Sequence, residues 1–442
     1  TSPGLVILAA VASCPEAIVT VLPAVPALKN GVGAPARPVW LISGPTIALA
    51  LTGTTAGKLG DLHGHRRVFL AGMSISAVFV VCSALAWSGP SLIAFRVLAA
   101  TAGAATGPSS LAIINGLFDR EDRSKALGFW SLVVAGGPVV GLVIGGPLVE
   151  QVGWRMIFWV QAPLLALSAL LPWSLTPGSP RRTGVHFDVR GQAVLFMLLG
   201  WLLFGIDRGA AWGFASPWVL ASFALTGLST LWFIRVEHHQ EHPLIPMAWF
   251  RRSGFAVPVF VSFFMQFGYM GGFTLTPKLL AEVRGLGPDA ISLMMIPRPL
   301  TFAIAGPVAG MLAGRISPRT AIASGMAALA ISMALFALIA PDPTTWLVVT
   351  ALTLSGIGVG ASLPRVSASV ANSVEDVDLG VAGATQQLLA QIGTTVGINT
   401  VIQRKGLKLA LFTTAHFRDV LEVGRLKIPD MYNLLSKRPA PP

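Results

Sequence analysis

A few ionisable side chains stand inside otherwise apolar runs, and they are the residues that can do chemistry. Glu16 lies in Cys14-Pro15-Glu16-Ala17-Ile18-Val19, and Arg96 ends Leu92-Ile93-Ala94-Phe95-Arg96. Arg298 sits between Pro297 and Pro299, and Arg365 follows Pro364. A charge at mid-bilayer costs about 2.5–3.5 kcal/mol on insertion scales, so each needs a reason to be there. A carboxyl that gains and loses a proton is a candidate proton carrier, and a guanidinium beside it favours the charged form. Glu16 is therefore read as a candidate proton carrier. Arg298 and Arg365 can contact an anionic ligand or the carbonyls freed beside their prolines. Gln266 and Tyr269 occur in Phe263-Phe264-Met265-Gln266-Phe267-Gly268-Tyr269-Met270. Aromatic and Met surfaces suit apolar ligands, whereas the amide and phenol need polar partners. These last four residues form the candidate cavity wall.

Two glycine-rich stretches carry backbone chemistry. Gly57-Lys58-Leu59-Gly60-Asp61-Leu62-His63-Gly64-His65-Arg66-Arg67 reads as a tight turn between two apolar runs. Gly57 and Gly64 permit close approach and unusual backbone angles. Asp61 can accept from the free N–H groups of a helix start or pair with an arginine, and Arg66 and Arg67 suit headgroups. The second stretch, Gly136 to Pro147, places small residues at intervals that let helix backbones pack closely, with Gly141, Gly145 and Gly146 at its centre. It is not a dinucleotide fingerprint, because no strand precedes it. His238, His239 and His242 lack suitably spaced company for a metal site. No metal or cofactor is expected. No phosphate-binding lysine motif and no nucleophile arrangement is present, which argues against an ATP-driven pump and against an enzyme.

The elements that must position these residues follow from composition. Of 442 residues 53% are hydrophobic and 11% charged, against about 25% charged in a soluble domain. The class is an all-α integral membrane protein. The net charge is +12, but the basic residues sit in short breaks between apolar runs rather than on one continuous face, so no nucleic acid is expected as a partner. Cys14 and Cys82 lie within apolar runs and read as small buried hydrophobes.

Counting about 20 apolar residues per crossing places spans near 5–28, 39–57, 68–87, 90–115, 126–149, 156–174, 191–206, 215–236, 255–276, 289–313, 320–340, 345–368 and 381–402. The first run leads straight into the second and reads as a retained span. With the N-terminus inside, the cytoplasmic loops hold Lys58, Arg66, Arg67, Arg120, Arg123, Lys125, Arg251 and Arg252 among others. The opposite loops hold fewer: Lys29, Arg37, Arg155, Arg208, Lys278 and Arg284. This asymmetry predicts a multi-pass protein of the cell (inner) membrane with a cytoplasmic N-terminus. Residues 1–174 form an N-terminal six-helix bundle. Residues 175–245 hold two further transmembrane helices with polar linkers, 246–403 a C-terminal bundle, and 404–442 a basic tail. The tail fits no simple topology: either a fourteenth span is missing or the thirteenth does not cross. The halves echo each other weakly, since Gly310-Met311-Leu312-Ala313-Gly314-Arg315 follows the second span of the last group as Gly57 to Arg67 follows the second span of the first.

The Gly57 to Arg67 segment resembles the loop between helices two and three of the major facilitator superfamily, matching at Gly57, Asp61, Gly64 and Arg66 and departing at Leu62 and His65. Gly141, Gly145 and Gly146 match the antiporter motif of its fifth helix, whose proline falls on Leu142 here. Gly153-Trp154-Arg155 through Pro163, Phe187-Asp188-Val189-Arg190-Gly191 and Pro243-Leu244-Ile245-Pro246 are similar to segments of the fourteen-helix drug:proton antiporter branch, and Glu16 falls one place beyond the acidic position of its first-helix motif. Leu92 to Arg96 is similar to a fourth-helix motif whose arginine is implicated in proton transfer, so the resemblance implies Arg96 as the proton-coupling partner of Glu16. The resemblance covers roughly residues 1–402. It implies two six-helix bundles with two extra central helices, about 13–14 transmembrane helices in all. It further implies a proton-coupled efflux transporter for lipophilic or amphipathic molecules, with the Gly57 to Arg67 loop as a cytoplasmic gate. The partners are then a small lipophilic substrate, protons and the lipid bilayer, and the chain is expected to act as a monomer. A lipid or lipid-conjugate exporter with weak proton coupling, and a transport-inactive membrane sensor or scaffold, are the alternatives.

Overall fold

The computed structural model describes residues 40–175, 188–240, 243–339 and 344–402. All of them belong to the compact unit Thr1–Arg404. The span that carries Glu16, the linker before Asp188 and the basic tail lie outside the described residues.

The described chain is helical. The N-terminal half contains α1 (Trp40–His63), α2 (His65–Ala84), α3 (Gly89–Gly103), α4 (Thr106–Leu117), α5 (Arg123–Val152) and α6 (Arg155–Leu175). A helical pair follows, α7 (Val189–Trp212) and α8 (Pro217–His238). The C-terminal half contains α9 (Ser253–Arg284), α10 (Pro288–Met295), α11 (Pro297–Met311), α12 (Pro318–Ile339), α13 (Thr345–Asn372) and α14 (Leu379–Ile402). Each span expected from residue 39 onward therefore has a helix, or a broken pair of helices, beneath it. Among the described residues, eight segments are long and apolar enough to cross a bilayer. Val78, Trp218, Leu231 and Leu338 stand exposed on these segments, a surface that lipid solvates and water would not.

Prolines explain where helices and expected spans differ. The 90–115 span breaks at Ala104–Ala105, just before Thr106-Gly107-Pro108, and Thr106 Oγ1 donates to the freed Gly103 carbonyl at 2.7 Å. Proline lacks an N–H and disfavours helix at the residue before it. The 289–313 span likewise breaks at Ile296, ahead of Pro297. Conversely, α9 runs through Pro258 and Pro277 and stops only at Gly285, whose φ of 64° is left-handed.

Within the N-terminal half, α2 packs on α6 and α3, and α1 on α3. In the C-terminal half α13 packs on α12 and α11, and α9 on α14. The halves meet along α1 with α14 and along α5 with α11. The second seam is close because it is lined by glycines: a Cβ on Gly128 would lie 2.7 Å from the Gly306 carbonyl oxygen and 3.2 Å from Gly310 Cα.

The extra pair is tied in by polar groups at one end. Asp188 caps α7, its Oδ1 accepting from Gly191 N at 2.9 Å and from Gln240 Nε2 at 3.2 Å. Buried Glu237 accepts from Ile245 N at 2.9 Å. Lys58 of α1, also buried, donates to the Pro243 carbonyl at 3.5 Å.

Candidate functional site

A cavity of about 240 Å³ lies between the halves, lined from α1 to α6 on one side and from α9, α11, α13 and α14 on the other. That volume is near the lower end for small-molecule sites. Its wall is mainly apolar: Met73, Trp130, Leu165, Met265, Met270, Phe273 and Phe302. Set into it are five amides, Gln161, Gln266, Gln386, Gln387 and Gln391, with Ser76, Ser262 and Thr394. Gln386 Nε2 donates to Ser367 Oγ at 2.9 Å, while the amide oxygens of Gln161 and Gln391 have no hydrogen-bond partner. Among the described residues, no charged side chain lines the cavity. Such a wall binds by shape and hydrogen bonding.

The sequence-derived candidates divide on this geometry. Gln266 and Tyr269 both line the cavity. Arg298 and Arg365 are not among the residues that line it. Arg365 Nη2 donates to the carbonyls of Leu312 and Ile316, both at 3.1 Å, closing the frayed end of α11. Arg298 is fully buried behind the wall; its Nη2 donates to the Tyr269 carbonyl and its guanidinium lies 4.0 Å from the centroid of the Tyr269 ring. Arg96 is buried, donates from Nε to the Leu41 carbonyl at 3.1 Å and lies 5.8 Å from the Phe158 ring. Its neighbours Ala99 and Ala100, rather than Arg96 itself, reach the cavity. Glu16 lies outside the described residues. Gly141, Gly145 and Gly146 fall in α5, the helix that forms the seam with α11.

Below the cavity the halves are clamped at one end, and the glycine-rich turn sits there. Gly64, at φ 91°, links α1 to α2 in a conformation that disfavours other residues. His65 Nε2 donates to Asp61 Oδ1 at 2.9 Å, joining the two ends of the turn. A Cβ on Gly380 would collide with both side chains, which places Asp61 against the first turn of α14, where a helix N-terminus favours negative charge. A Cβ on Gly57 would likewise lie 2.5 Å from Ala384 Cβ. Arg66 is half-buried and Arg67 exposed.

The sequence reading missed the residue that ties this end together. Arg123, at the start of α5, is buried; its Nη2 donates to Asp376 Oδ1 at 2.7 Å and its Nη1 to Asn372 Oδ1 at 3.1 Å, both in the other half. Its Nε donates to the Asn115 and Phe118 carbonyls at 2.9 and 3.3 Å, within its own half. In the sequence it reads only as one loop charge among several. The glutamines of α14 were missed too, although three amides inside an apolar run demand partners by the logic applied to Gln266.

Comparison with known proteins agrees with this architecture. The Major Facilitator Superfamily model matches residues 5–398. A second model, the hydantoinase/oxoprolinase N-terminal region, matches residues 358–442, overlapping the first and extending into the tail. The tetracenomycin C resistance and export protein of Streptomyces glaucescens is 31% identical over 81% of this chain and 67% of its own length. The multidrug resistance protein Stp of Mycobacterium tuberculosis is 27% identical over 87% of this chain and 71% of its own. Among solved structures, the human organic anion transporter MFSD10 (TETRAN) superposes with a TM-score of 0.66 at 18% identity, covering 91% of this chain and 92% of that one. The proton:xylose symporter XylE gives 0.58 at 13% identity, covering 89% and 86%; at such identities the likeness concerns the fold. The pairing of two helical halves around a cavity and the family match from residue 5 to residue 398 lead to one assignment: this multi-pass membrane protein belongs to the major facilitator superfamily.

Proposed function

We propose that the chain is a proton-coupled efflux transporter that exports lipophilic or amphipathic small molecules by alternating access. The observation that carries this reading is the cavity between the halves, apolar and amide-studded, with one end held shut by contacts that cross from half to half. Contacts of that kind, together with glycine seams, suit two bundles that rock against each other, because they are made and broken as units. The names of the relatives, an export protein and a multidrug resistance protein, support the direction and the class of cargo. The clamped end carries Arg66, Arg67, Arg120 and Lys125, which supports its placement at the cytoplasmic face and the N-terminus inside.

Proton exchange at Glu16 drives the cycle in this proposal, with Arg96 tuning it; Asp61, Arg123 and Asp376 gate the cytoplasmic end. The experiment is dye efflux from inverted vesicles under an imposed pH gradient, comparing the parent with Glu16→Gln. Gradient-driven transport lost in the variant is the expected result. Transport that ignores both the gradient and Glu16 refutes the coupling assignment.

A further inference from the structure

Arg298 is the least compensated charge beside the cavity. Its side chain is fully buried, and its Nε and Nη1 have no hydrogen-bond partner. No carboxylate among the described residues pairs with it. It follows the break at Ile296, flanked by Pro297 and Pro299. Its guanidinium lies over the Tyr269 ring at 4.0 Å and near the Phe273 ring at 5.7 Å. Nη1 passes Gly272, where a Cβ would stand 3.4 Å away. Tyr269, Phe273 and Pro299 all line the cavity. A guanidinium does not lose its proton in a protein, so a full positive charge stands one aromatic ring behind the wall.

We propose that Arg298 sets the charge preference of the cavity, which takes neutral or anionic aromatic molecules bearing hydrogen-bond groups and rejects cations of the same shape. The proposal rests on the transport reading for the site and adds the substrate class. An aromatic ring attracts a cation through the negative potential of its face. The Tyr269 face is already taken by Arg298, so a ligand stacked on the opposite face meets a ring whose electrons are drawn away from it. Such a ligand lies about 8 Å from the guanidinium, the 4.0 Å to the ring centroid plus about a stacking distance. At an effective dielectric of about 20, a unit charge there feels a repulsion or attraction equivalent to about thirty-fold in affinity. The five wall glutamines then supply donors and acceptors without charge.

Arg298 also bonds the Tyr269 carbonyl, so a purely structural role must be separated from an electrostatic one. The measurement is equilibrium binding of two xanthene dyes of similar size, anionic fluorescein and cationic rhodamine 123, to the purified full chain by fluorescence anisotropy. Wild type is expected to favour the anion at least about tenfold. Arg298→Lys, which keeps the charge, keeps the direction of the preference, and Arg298→Gln shrinks the ratio about tenfold or more. A wild type that prefers the cation, or binds neither dye, overturns the proposal. So does a folded Arg298→Gln protein with an unchanged ratio. If the Gln variant does not fold, the wild-type and Lys ratios decide. Charge-selective binding without dye efflux from vesicles upholds this inference while removing the export reading; efflux of both dyes with a ratio indifferent to Arg298 does the reverse.

Discussion

Asp376→Ala isolates the energy that one side chain contributes to closing the clamped end. Arg123 makes two bonds inside its own half, to Asn115 and Phe118, and two across the seam, to Asn372 and Asp376. Truncating Arg123 would disturb both sets and leave the end of α4 uncapped. Truncating Asp376 removes only a bond that opening must break, so the loss falls on the closed state alone. The Asp376 side chain is 69% exposed against 3% for Arg123, so water screens the pair and its worth is that of a surface ion pair at the upper end, about 1 kcal/mol. That corresponds to about a fivefold rise in the ratio of open to closed molecules. The assay is pulsed electron–electron distance measurement between nitroxides at Arg67→Cys and Arg319→Cys, both exposed and one in each half, in a background with Cys14 and Cys82 replaced by serine. The longer-distance population should grow about fivefold in Asp376→Ala. An unchanged distribution refutes the latch. So does a double-mutant cycle in which Arg123→Ala and Asp376→Ala add without coupling.

Two further outcomes follow from packing. Gly128→Val inserts atoms where a Cβ would already lie 2.7 Å from the Gly306 carbonyl oxygen; overpacking of about 1–3 kcal/mol should part α5 from α11, lengthen the same label distances and reduce transport, and normal closure in this variant would show that the seam is not as tight as its glycines imply. Glu237→Ala leaves the buried Ile245 N–H without its acceptor and should cost about 1–3 kcal/mol in the thermal unfolding of the purified protein, whereas Glu237→Gln keeps a carbonyl acceptor and should cost less; equal losses in the two variants would mean that the hydrogen bond is not what matters.

Much of the fold was legible because apolar length is a strong signal. From residue 39 on, each expected span corresponds to a helix or to a pair split at a proline, and the splits at Ala104–Ala105 and Ile296 were readable from Pro108 and Pro297 had local backbone chemistry been weighed against apolar length. The turn from Gly57 to Arg67 was legible because its glycines and its charges are contiguous. The bond from Arg123 to Asp376 was not, since 253 positions separate its partners and each alone is an ordinary loop charge. The buried arginines were visible as anomalies, but their direction was not. One residue turns a helix by about 100°, which is enough to aim Arg298 behind the wall while Pro299 faces the cavity.

The placement of these cations argues for a division of labour. Arg365 is bonded to the carbonyls of Leu312 and Ile316, Arg123 joins the two halves, and Arg96 holds the Leu41 carbonyl. In each case the guanidinium satisfies backbone oxygens that apolar surroundings would otherwise leave costly, so its charge is already engaged before any ligand arrives. Arg298 is bonded less than these: one nitrogen bonds a single carbonyl and two have no partner, against one unpartnered nitrogen on Arg365, and the face of its guanidinium rests on a ring that forms part of the cavity wall. A charge needed only to tie α11 to α9 would be expected to bond with more of its donors. A charge left half-satisfied behind Tyr269 keeps its field directed through that ring, and it is that field, rather than contact with the guanidinium, that a bound molecule would meet.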